Sequence, residues 1–177
     1  MTTTIYLGRY TATADQPLVV FLVGMRINRL RAILKWWPTF TAMIAMLKEL
    51  LRHPEKGYLG GRVFFSGRTI MLVQYWRSFE ELDRFARNPA DPHLPAWQRF
   101  NKHVGYVQGT VGVFHETYVV PAGQMEAIYN NMPRFGLAGV AQHVPATGKR
   151  ATARRRLGGQ NEVAVPVDAS GELSQSS

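Results

Sequence analysis

The clearest local structural signals in the chain lie in the stretch GRVFFSGRTIMLVQYWRSFEELDRFA, residues 61–86. Two runs dense in β-forming residues, Gly61–Phe65 and Thr69–Trp76, flank a short loop with a glycine, which is typical of neighbouring antiparallel strands. The next residues, Ser78 to Glu81, have the spacing of a capping box, in which the serine hydroxyl bonds the Glu81 amide and the Glu81 side chain reaches back. Phe79, Leu82, Phe85 and Ala86 then recur at helical spacing. The stretch therefore predicts a β-hairpin followed by a helix.

The flanking segments complete the pattern. Leu18–Met25 is apolar on both faces, as in a central strand that is covered on both sides. After a basic connector, apolar residues recur at helical spacing from Pro38 until Pro54 and Gly57 stop the helix. A further helical piece is predicted over residues 92–103, and the β-rich run of residues 109–120 predicts a last strand.

The order strand, helix, strand, strand, helix, strand is the ferredoxin-like βαββαβ unit, an α+β fold. Right-handed crossovers place the first and third of these strands in the centre of a four-stranded antiparallel sheet, with the helices on one face. The other face also carries large apolar residues, so it needs a partner sheet. We therefore predict a homodimer, arranged as a dimeric α+β barrel.

The chain of 177 residues divides into three parts by composition. Residues 1–16 are polar and turn-rich and are interpreted as a loose N-terminal arm. Residues 17–145 are predicted to form the barrel domain. Residues 146–177 are rich in Gly, Ala, Arg and Ser and contain no aromatic residue. Such a segment cannot bury enough apolar surface to offset its ordering entropy, which predicts a disordered basic tail.

Several classes of protein are disfavoured. The chain has no cysteine, which excludes disulfides, thiolate metal sites and a cysteine nucleophile, and which fits a reducing cytoplasm. The first residues lack the basic and apolar regions of a secretory signal, so secretion is not expected, and the longest apolar run, residues 18–25, is too short to span a bilayer. GxGxxG, GxSxG and HExxH motifs are missing, so Rossmann-cofactor, hydrolase-elbow and zinc chemistry are not expected, and no metal site is predicted.

The net charge of +9 comes partly from two clusters without acidic residues, at residues 26–35 and 149–156. Such clusters attract phosphates on nucleic acid or on anionic lipid. No nucleic-acid motif accompanies them, so a nucleic-acid partner is not expected. Trp36 and Trp37 beside the first cluster suit a membrane interface, although buried aromatics next to a solvated basic loop explain the same residues.

His93, Trp97 and Asn101 form the first candidate site. They are spaced four apart, so they share one face of the predicted second helix. An imidazole, an indole and a carboxamide on one face suit a polar aromatic substrate, or haem ligated through the histidine. A partly buried structural face is the alternative interpretation.

The last strand and the end of the first strand provide further candidates. Alternation in the last strand predicts that His115 and Thr117 lie on one face of the sheet and that Glu116 and Tyr118 lie on the other. His115 is interpreted as a general base or as a satisfied core histidine, and an arginine is expected to pair with Glu116. Arg26 and Asn28 at the end of the first strand either face a ligand or mark the exit of the strand into solvent.

Four runs resemble a family of small proteins named after a fumagillin-pathway monooxygenase and long carried as a domain of unknown function. These runs are Val73–Glu80, His93–Asn101, Val113–Tyr118 and Ile128–Pro133. The resemblance covers residues 17–145 and implies a dimeric α+β barrel with a monooxygenase-like activity. Its histidine–tryptophan–asparagine run maps onto His93, Trp97 and Asn101, and its His-Glu-Thr-Tyr run maps onto residues 115–118. In the wider superfamily, the resemblance implies ligands between the sheet and its helices.

The leading hypothesis is a small monooxygenase for an apolar or aromatic substrate. In a cofactor-free version, His93 or His115 removes a phenolic proton, and Asn101 holds the oxyanion. Trp97 and Tyr118 would position the ring, with Glu116, Arg26 and Asn28 as further substrate contacts. In a haem-dependent version, one histidine ligates iron instead. The alternative is a non-enzymatic protein that binds the same kind of ligand, in the cytoplasm or peripherally at an anionic membrane surface.

Overall fold

The computed structural model describes residues 3–90, residue 98 and residues 109–159. The strands are β1 (Tyr6–Thr13), β2 (Leu18–Ile27), β3 (Tyr58–Ser66), β4 (Thr69–Trp76), β5 (Val111–Val120), β6 (Tyr129–Met132) and β7 (Gln142–Pro145). The helices are α1 (Ile33–Arg52), α2 (Phe79–Arg87) and the short α3 (Ala153–Arg156), and single 3₁₀ turns occupy Pro54–Lys56, Gly136–Gly139 and Gly148–Arg150.

The central sheet has the strand order β3-β4-β2-β5, and all of its pairings are antiparallel. The strands predicted first and third in the unit, β2 and β4, are therefore the central pair. This order confirms the ferredoxin-like α+β fold. β2 pairs along its whole length with β5, from Leu18 opposite Val120 to Ile27 opposite Val111.

Helices α1 and α2 cover one face of this sheet. One core cluster packs Met25 and Leu72 of the sheet against Met43 of α1, and a second packs Trp76 against Leu50 and α2. We refer to the covered face as the helix face of the sheet.

Helix α1 begins at Ile33, five residues before the predicted start at Pro38. The N–H that Pro38 lacks would have bonded the Leu34 carbonyl, so the helix forgoes one bond in its second turn. The Trp36 indole N–H donates to the Leu30 carbonyl over 3.1 Å, and its ring packs on the core. This contact ties the start of the helix to the preceding loop.

Helix α2 begins as the capping box predicts, with one difference. The Ser78 hydroxyl accepts from the Glu81 amide at 3.3 Å. The Glu81 carboxylate does not reach back to the cap and instead accepts from the Arg77 guanidinium at 2.7 Å. The helix ends at Arg87, directly before Asn88-Pro89, as expected.

The interpretation of residues 1–16 as a loose arm is wrong. β1 is the middle strand of a second sheet with the order β6-β1-β7, pairing Tyr10 with both Tyr129 and Pro145. The partner strands lie more than a hundred residues away in sequence, so no local pattern indicates this pairing. Thr11 is fully buried in the strand, and its hydroxyl donates to the Ala127 carbonyl at 2.7 Å.

The second sheet and its 3₁₀ turn cover part of the face of the central sheet opposite the helices. Leu18, Val20 and Tyr75 on that face belong to a cluster with Leu137 and Ala138. The rest of this face is only half buried; its members include Leu22, Phe64, Met71 and Phe114. The chain itself thus covers part of the sheet face that was predicted to be covered entirely by a second copy.

The prediction of disorder from residue 146 onward is wrong for residues 146–159. Ala146 is buried, and the Arg156 side chain, 4% exposed, pairs with Glu126. Residues 160–177 lie outside the described part of the chain. Across the residues that the structure describes, no helix combines the length and the apolar character needed to cross a membrane.

Candidate functional site

A cavity of about 1330 Å³ lies between the helix face of the central sheet and helices α1 and α2. Its walls are mainly apolar. Phe21, Val23, Leu72 and Trp76 contribute from the sheet, and Met43, Met46, Leu82 and Phe85 contribute from the helices. This volume lies beyond the usual range for a small-molecule site, so the cavity has room for a large apolar or aromatic ligand.

Small side chains on α1 account for much of this space. Pro38, Ala42 and Ala45 line the cavity at spacings of four and three residues, so they share one face of the helix. Large residues such as Met43 and Leu50 lie on the adjacent face and fill the core. The helix is therefore packed against the sheet along one side and leaves a gap along the other.

The sheet side of the cavity carries a short row of polar groups. Gln74 of β4 and Thr117 of β5 both lie opposite Phe21 of β2, so the three residues form one cross-strand row. His115 lies one row further along β5, opposite Val23. With strands about 4.8 Å apart, Gln74 and Thr117 are separated by about 10 Å. A planar aromatic ligand resting on Phe21 would have polar groups at both of its sides.

His115 is exposed to the cavity from the edge strand β5. Its ring centroid is 5.7 Å from that of Phe21, and the two rings are inclined by 39°. The prediction that alternation places His115 and Thr117 together on one face is confirmed. A histidine in this position can exchange a proton with a ligand in the cavity.

Gln74 is a polar site residue that sequence reasoning missed. It is 6% exposed, and its side-chain carbonyl accepts from the Trp76 indole N–H at 2.9 Å. Because an indole N–H can only donate, the carbonyl end of the amide must face Trp76. The amide NH₂ of Gln74 is therefore the end left to a ligand. The signal was present in the sequence, since Gln74 is the one polar residue within Ile70–Trp76.

Asp83 of α2 is the acidic residue among the described lining residues of the cavity. Its carboxylate accepts from Arg87 at 2.8 Å, one helical turn later. The negative charge of Asp83 is thus paired, at the rim of the cavity, with an exposed arginine. The other charged residue among the described lining residues is Lys35 of α1, which is exposed, and the remaining lining residues carry no Asp, Glu, Lys or Arg, which suits an apolar ligand.

Glu116 and Tyr118 lie on the opposite face of the sheet from His115, as alternation predicts. They do not line the cavity. The Tyr118 hydroxyl donates to the Glu116 carboxylate at 2.5 Å, and this bond raises the pKa of the tyrosine. The expectation of an arginine partner for Glu116 is wrong, because the neighbouring tyrosine satisfies the carboxylate. The structure therefore does not bring the predicted contacts Glu116 and Tyr118 together with His115.

Arg26 and Asn28 also lie away from the cavity walls. The Arg26 guanidinium donates to the Thr69 hydroxyl at 3.2 Å, and the Asn28 amide donates to the Gly109 carbonyl at 3.0 Å. Both residues are exposed. These bonds tie the end of β2 to its two neighbours, which favours the interpretation that they mark the exit of the strand.

The other predicted site residues, His93, Trp97 and Asn101, lie outside the described residues, so their positions stay predictions. Within the described ranges there is no cluster of three or more His, Cys, Asp or Glu that could hold a metal ion. For haem, the described lining offers His115 as an axial ligand. Haem bound there would supply iron chemistry and would withdraw that imidazole from proton transfer.

Comparison with known proteins relates this chain to a protein family. The family model for monooxygenase af470-like proteins matches residues 18–137. This range includes strands β2 to β6, helices α1 and α2, and the residues that line the cavity. Monooxygenase af470 from Aspergillus fumigatus is 28% identical over 122 residues, which are 64% of this chain and 42% of that protein. The chain thus spans less than half the length of this curated relative.

Solved structures support the fold. Aldoxime dehydratase OxdRE, crystallised with butyraldoxime, superimposes with a TM-score of 0.63 at 16% identity, over 80% of this chain and 44% of that one. SnoaB, a cofactor-independent oxygenase from Streptomyces nogalater, gives a TM-score of 0.41 at 11% identity over 58% of this chain and 91% of that one, a score too low to support either fold or function. The match along residues 18–137 decides the family: the chain belongs to the monooxygenase af470-like family.

Proposed function

We propose that this protein is a small oxygenase that oxidises an aromatic or phenol-like substrate in the cavity between the sheet and its helices. One observation carries the proposal: a proton-exchanging group, His115, and an amide donor, Gln74, lie on the same wall of a large apolar cavity. An apolar wall with few polar groups favours an aromatic ligand that carries one acidic O–H or C–H group.

The chemistry can proceed without a cofactor when the substrate supplies the electrons. His115 takes the acidic proton, and the Gln74 amide donates to the oxygen on which negative charge develops. Dioxygen then reacts with the electron-rich carbanion. A ring CH₂ becomes C=O, and the second oxygen atom leaves as water, so R₂CH₂ and O₂ give R₂CO and H₂O. His93 and Asn101 stay predicted as further base and oxyanion donor.

Anthrone is a suitable probe, because its ring CH₂ is acidic: loss of a proton from this carbon gives the anion of the enol form. We expect anthrone binding by fluorescence and oxygen uptake with the wild-type protein. His115→Gln should lower turnover about 100-fold, within the usual range for loss of a general base, and retain anthrone binding. Tyr118→Phe is the matched control on the other face and should act as wild type. A His115→Gln variant with full turnover would contradict the assignment.

Absorbance spectra distinguish a haem-dependent enzyme from a cofactor-free one. If protein purified from its own host shows a Soret band, and His115→Gln loses that band, then His115 ligates haem iron instead of transferring a proton. Colourless protein that consumes oxygen with anthrone supports the cofactor-free version.

A non-enzymatic carrier is the second candidate. The observation that favours it is the rim of the cavity, where Leu34 is 92% exposed, so the cavity opens through apolar surface. Anthrone binding without any oxygen uptake would support the carrier over the oxygenase.

We further propose that two copies pair through the half-buried face of the sheet. Tyr118, 50% exposed, and Phe114 lie on this face beyond the cover supplied by the second sheet. Sedimentation equilibrium should give a mass near twice 20.0 kDa. Phe114→Asp should shift that mass to one chain, whereas Leu7→Asp, an exposed change on β1, should not.

A further inference from the structure

The first turn of α1 and the loop before it present an apolar ridge to solvent. Leu30, Ile33, Leu34 and Trp37 are 50%, 55%, 92% and 51% exposed. Ile33, Leu34 and Trp37 are spaced one and three residues apart, so they share one face of α1, and Leu30 lies in the loop directly before it. A face with this pattern is normally turned to the core, so its exposure indicates a surface that contacts something apolar.

Basic residues flank this ridge. No acidic residue occurs between Asp15 and Glu49, whereas five cations occur in that interval; they are Arg26, Arg29, Arg31, Lys35 and Lys48. Arg29 and Arg31 are exposed beside Leu30. We call Arg29, Leu30, Arg31, Ile33, Leu34 and Trp37 the entrance surface. Apolar and tryptophan side chains among exposed cations are the composition that binds anionic bilayers.

The entrance surface adjoins the mouth of the cavity. Leu34 is both the most exposed residue of the ridge and part of the cavity wall. Pro38, Ala42 and Ala45 line the same cavity further along α1, and Phe21 lines it from the sheet. Apolar lining residues therefore connect the exposed ridge with the sheet wall of the cavity.

We propose that the entrance surface docks on anionic membranes and that the cavity takes its apolar substrate directly from the bilayer. The docking rests on the ridge and its charge, while the loading rests on the proposed function of the cavity. This surface lies on the helix side of the central sheet, away from the half-buried face proposed to pair two copies, so both contacts can form at once.

Vesicle flotation tests the docking with the full chain and without any substrate. Wild-type protein should float with phosphatidylcholine vesicles that contain phosphatidylserine, and much less with phosphatidylcholine alone or at high salt. Arg29→Ser with Arg31→Ser should lower the partition coefficient at least tenfold, because each basic residue near such a surface favours binding severalfold. Leu34→Ser with Trp37→Ser should lower it by a similar factor at every salt concentration.

Two control variants test whether membrane binding depends on where the apolar and basic residues lie, and not only on their number. Leu7→Ser removes an apolar side chain that is 78% exposed on β1, and Lys149→Ser with Arg150→Ser removes two charges from the basic C-terminal segment. Both should float as wild type. Brominated lipids should quench the tryptophan fluorescence of the wild-type protein and quench that of Trp37→Phe clearly less. Circular dichroism of each variant checks that it is folded.

Several outcomes overturn the docking. These are wild-type protein that stays out of the phosphatidylserine vesicles, entrance variants that float normally, and controls that lose binding equally. A change of oligomeric state in the Leu34→Ser, Trp37→Ser variant would instead assign the ridge to a protein contact. None of these readouts needs turnover, so an active enzyme that does not float overturns only this inference.

Loading from the bilayer has its own measurement. Anthrone supplied in phosphatidylserine vesicles should be oxidised at least tenfold more slowly by the Arg29→Ser, Arg31→Ser variant, whose changes lie outside the cavity wall, than by wild type. Anthrone dissolved in buffer should be oxidised at equal rates by the two proteins. Equal rates from vesicles would overturn the loading step. Loss of both rates would show that the entrance surface serves the cavity itself and not membrane transfer.

Discussion

The indole nitrogen of Trp76 donates to the side-chain oxygen of Gln74 over 2.9 Å, and this bond orients the amide of Gln74 toward the cavity. Trp76 is completely buried and packs against Tyr58 and Phe85, so it cannot turn without disrupting a core cluster. The polar end of Gln74 is thereby held by apolar packing. Such support from a rigid neighbour is what a hydrogen-bond donor needs in order to act on a developing charge.

Gln74→Glu tests this donor directly. A carboxylate still accepts from Trp76, but it has no N–H to donate and it repels an oxyanion. We expect anthrone turnover to fall about 100-fold at mildly alkaline pH, with the fold retained. Gln124→Glu, in the exposed loop after β5, is the matched control. Unchanged turnover in Gln74→Glu would remove Gln74 from the site.

Ala42→Phe tests whether the gap beside α1 is the binding cavity. The added ring would occupy space that a ligand needs, so anthrone affinity should fall at least tenfold, while the melting temperature stays the same or rises because a void is filled. Fluorescence titration measures the affinity. Lys48→Phe, on the exposed side of the same helix, should leave it unchanged. Full affinity in Ala42→Phe would place the ligand elsewhere.

His143 makes stability depend on pH. Both of its ring nitrogens are buried without a hydrogen-bond partner, and its ring stacks on Tyr10 at 4.7 Å. Burial, together with the charge of Arg134, lowers its pKa below the ordinary value of 6.5. As pH falls below about 6.5, the unfolded chain therefore binds a proton that the folded chain resists, and the free energy of unfolding decreases.

His143→Phe should flatten this decrease between pH 7 and pH 5, because the phenyl ring keeps the stacking and does not titrate. Urea unfolding at several pH values measures the effect. An NMR titration of the wild-type His143 ring should show a midpoint below 6.5. A midpoint above that value would contradict the assignment.

Arg156 connects the C-terminal segment to the rest of the fold. Its Nε donates to Glu126 at 2.9 Å, and its Nη1 donates to the Arg150 carbonyl at 2.8 Å. Arg156→Met should lower the free energy of unfolding by about 2 kcal/mol, since it leaves Glu126 and the carbonyls of Arg150 and Ala151 without their charged donor. Lys149→Met is the exposed control.

Truncation divides the C-terminal segment. Removing residues 160–177 should leave the melting temperature nearly unchanged, as the composition of that segment predicts. Removing residues 147–177 should lower it by several degrees, because Arg156 and its contacts are lost. Equal melting temperatures for the two truncated proteins would show that residues 147–159 contribute no stability.

The sequence alone determined the central sheet and its helices. Strand β4 was predicted at its observed bounds, and the serine cap of α2 followed from local spacing. The strand order β3-β4-β2-β5 followed from the order of these locally predicted elements and the right-handed rule for their crossovers. Alternation in β5 correctly separated His115 from Glu116. These features depend on residues a few positions apart, where turn chemistry, capping and the two periodicities act directly.

Tertiary structure alone decided which residues face one another across the fold. β1 became a central strand because β6 and β7 return to it from the far end of the chain, and no pattern within residues 1–16 records those partners. Gln74 lines the cavity because α1 leaves a gap above its row, and Trp76 orients its amide. Local sequence specifies the direction of a side chain, but only packing between distant elements determines whether that direction leads to core, to cavity or to solvent.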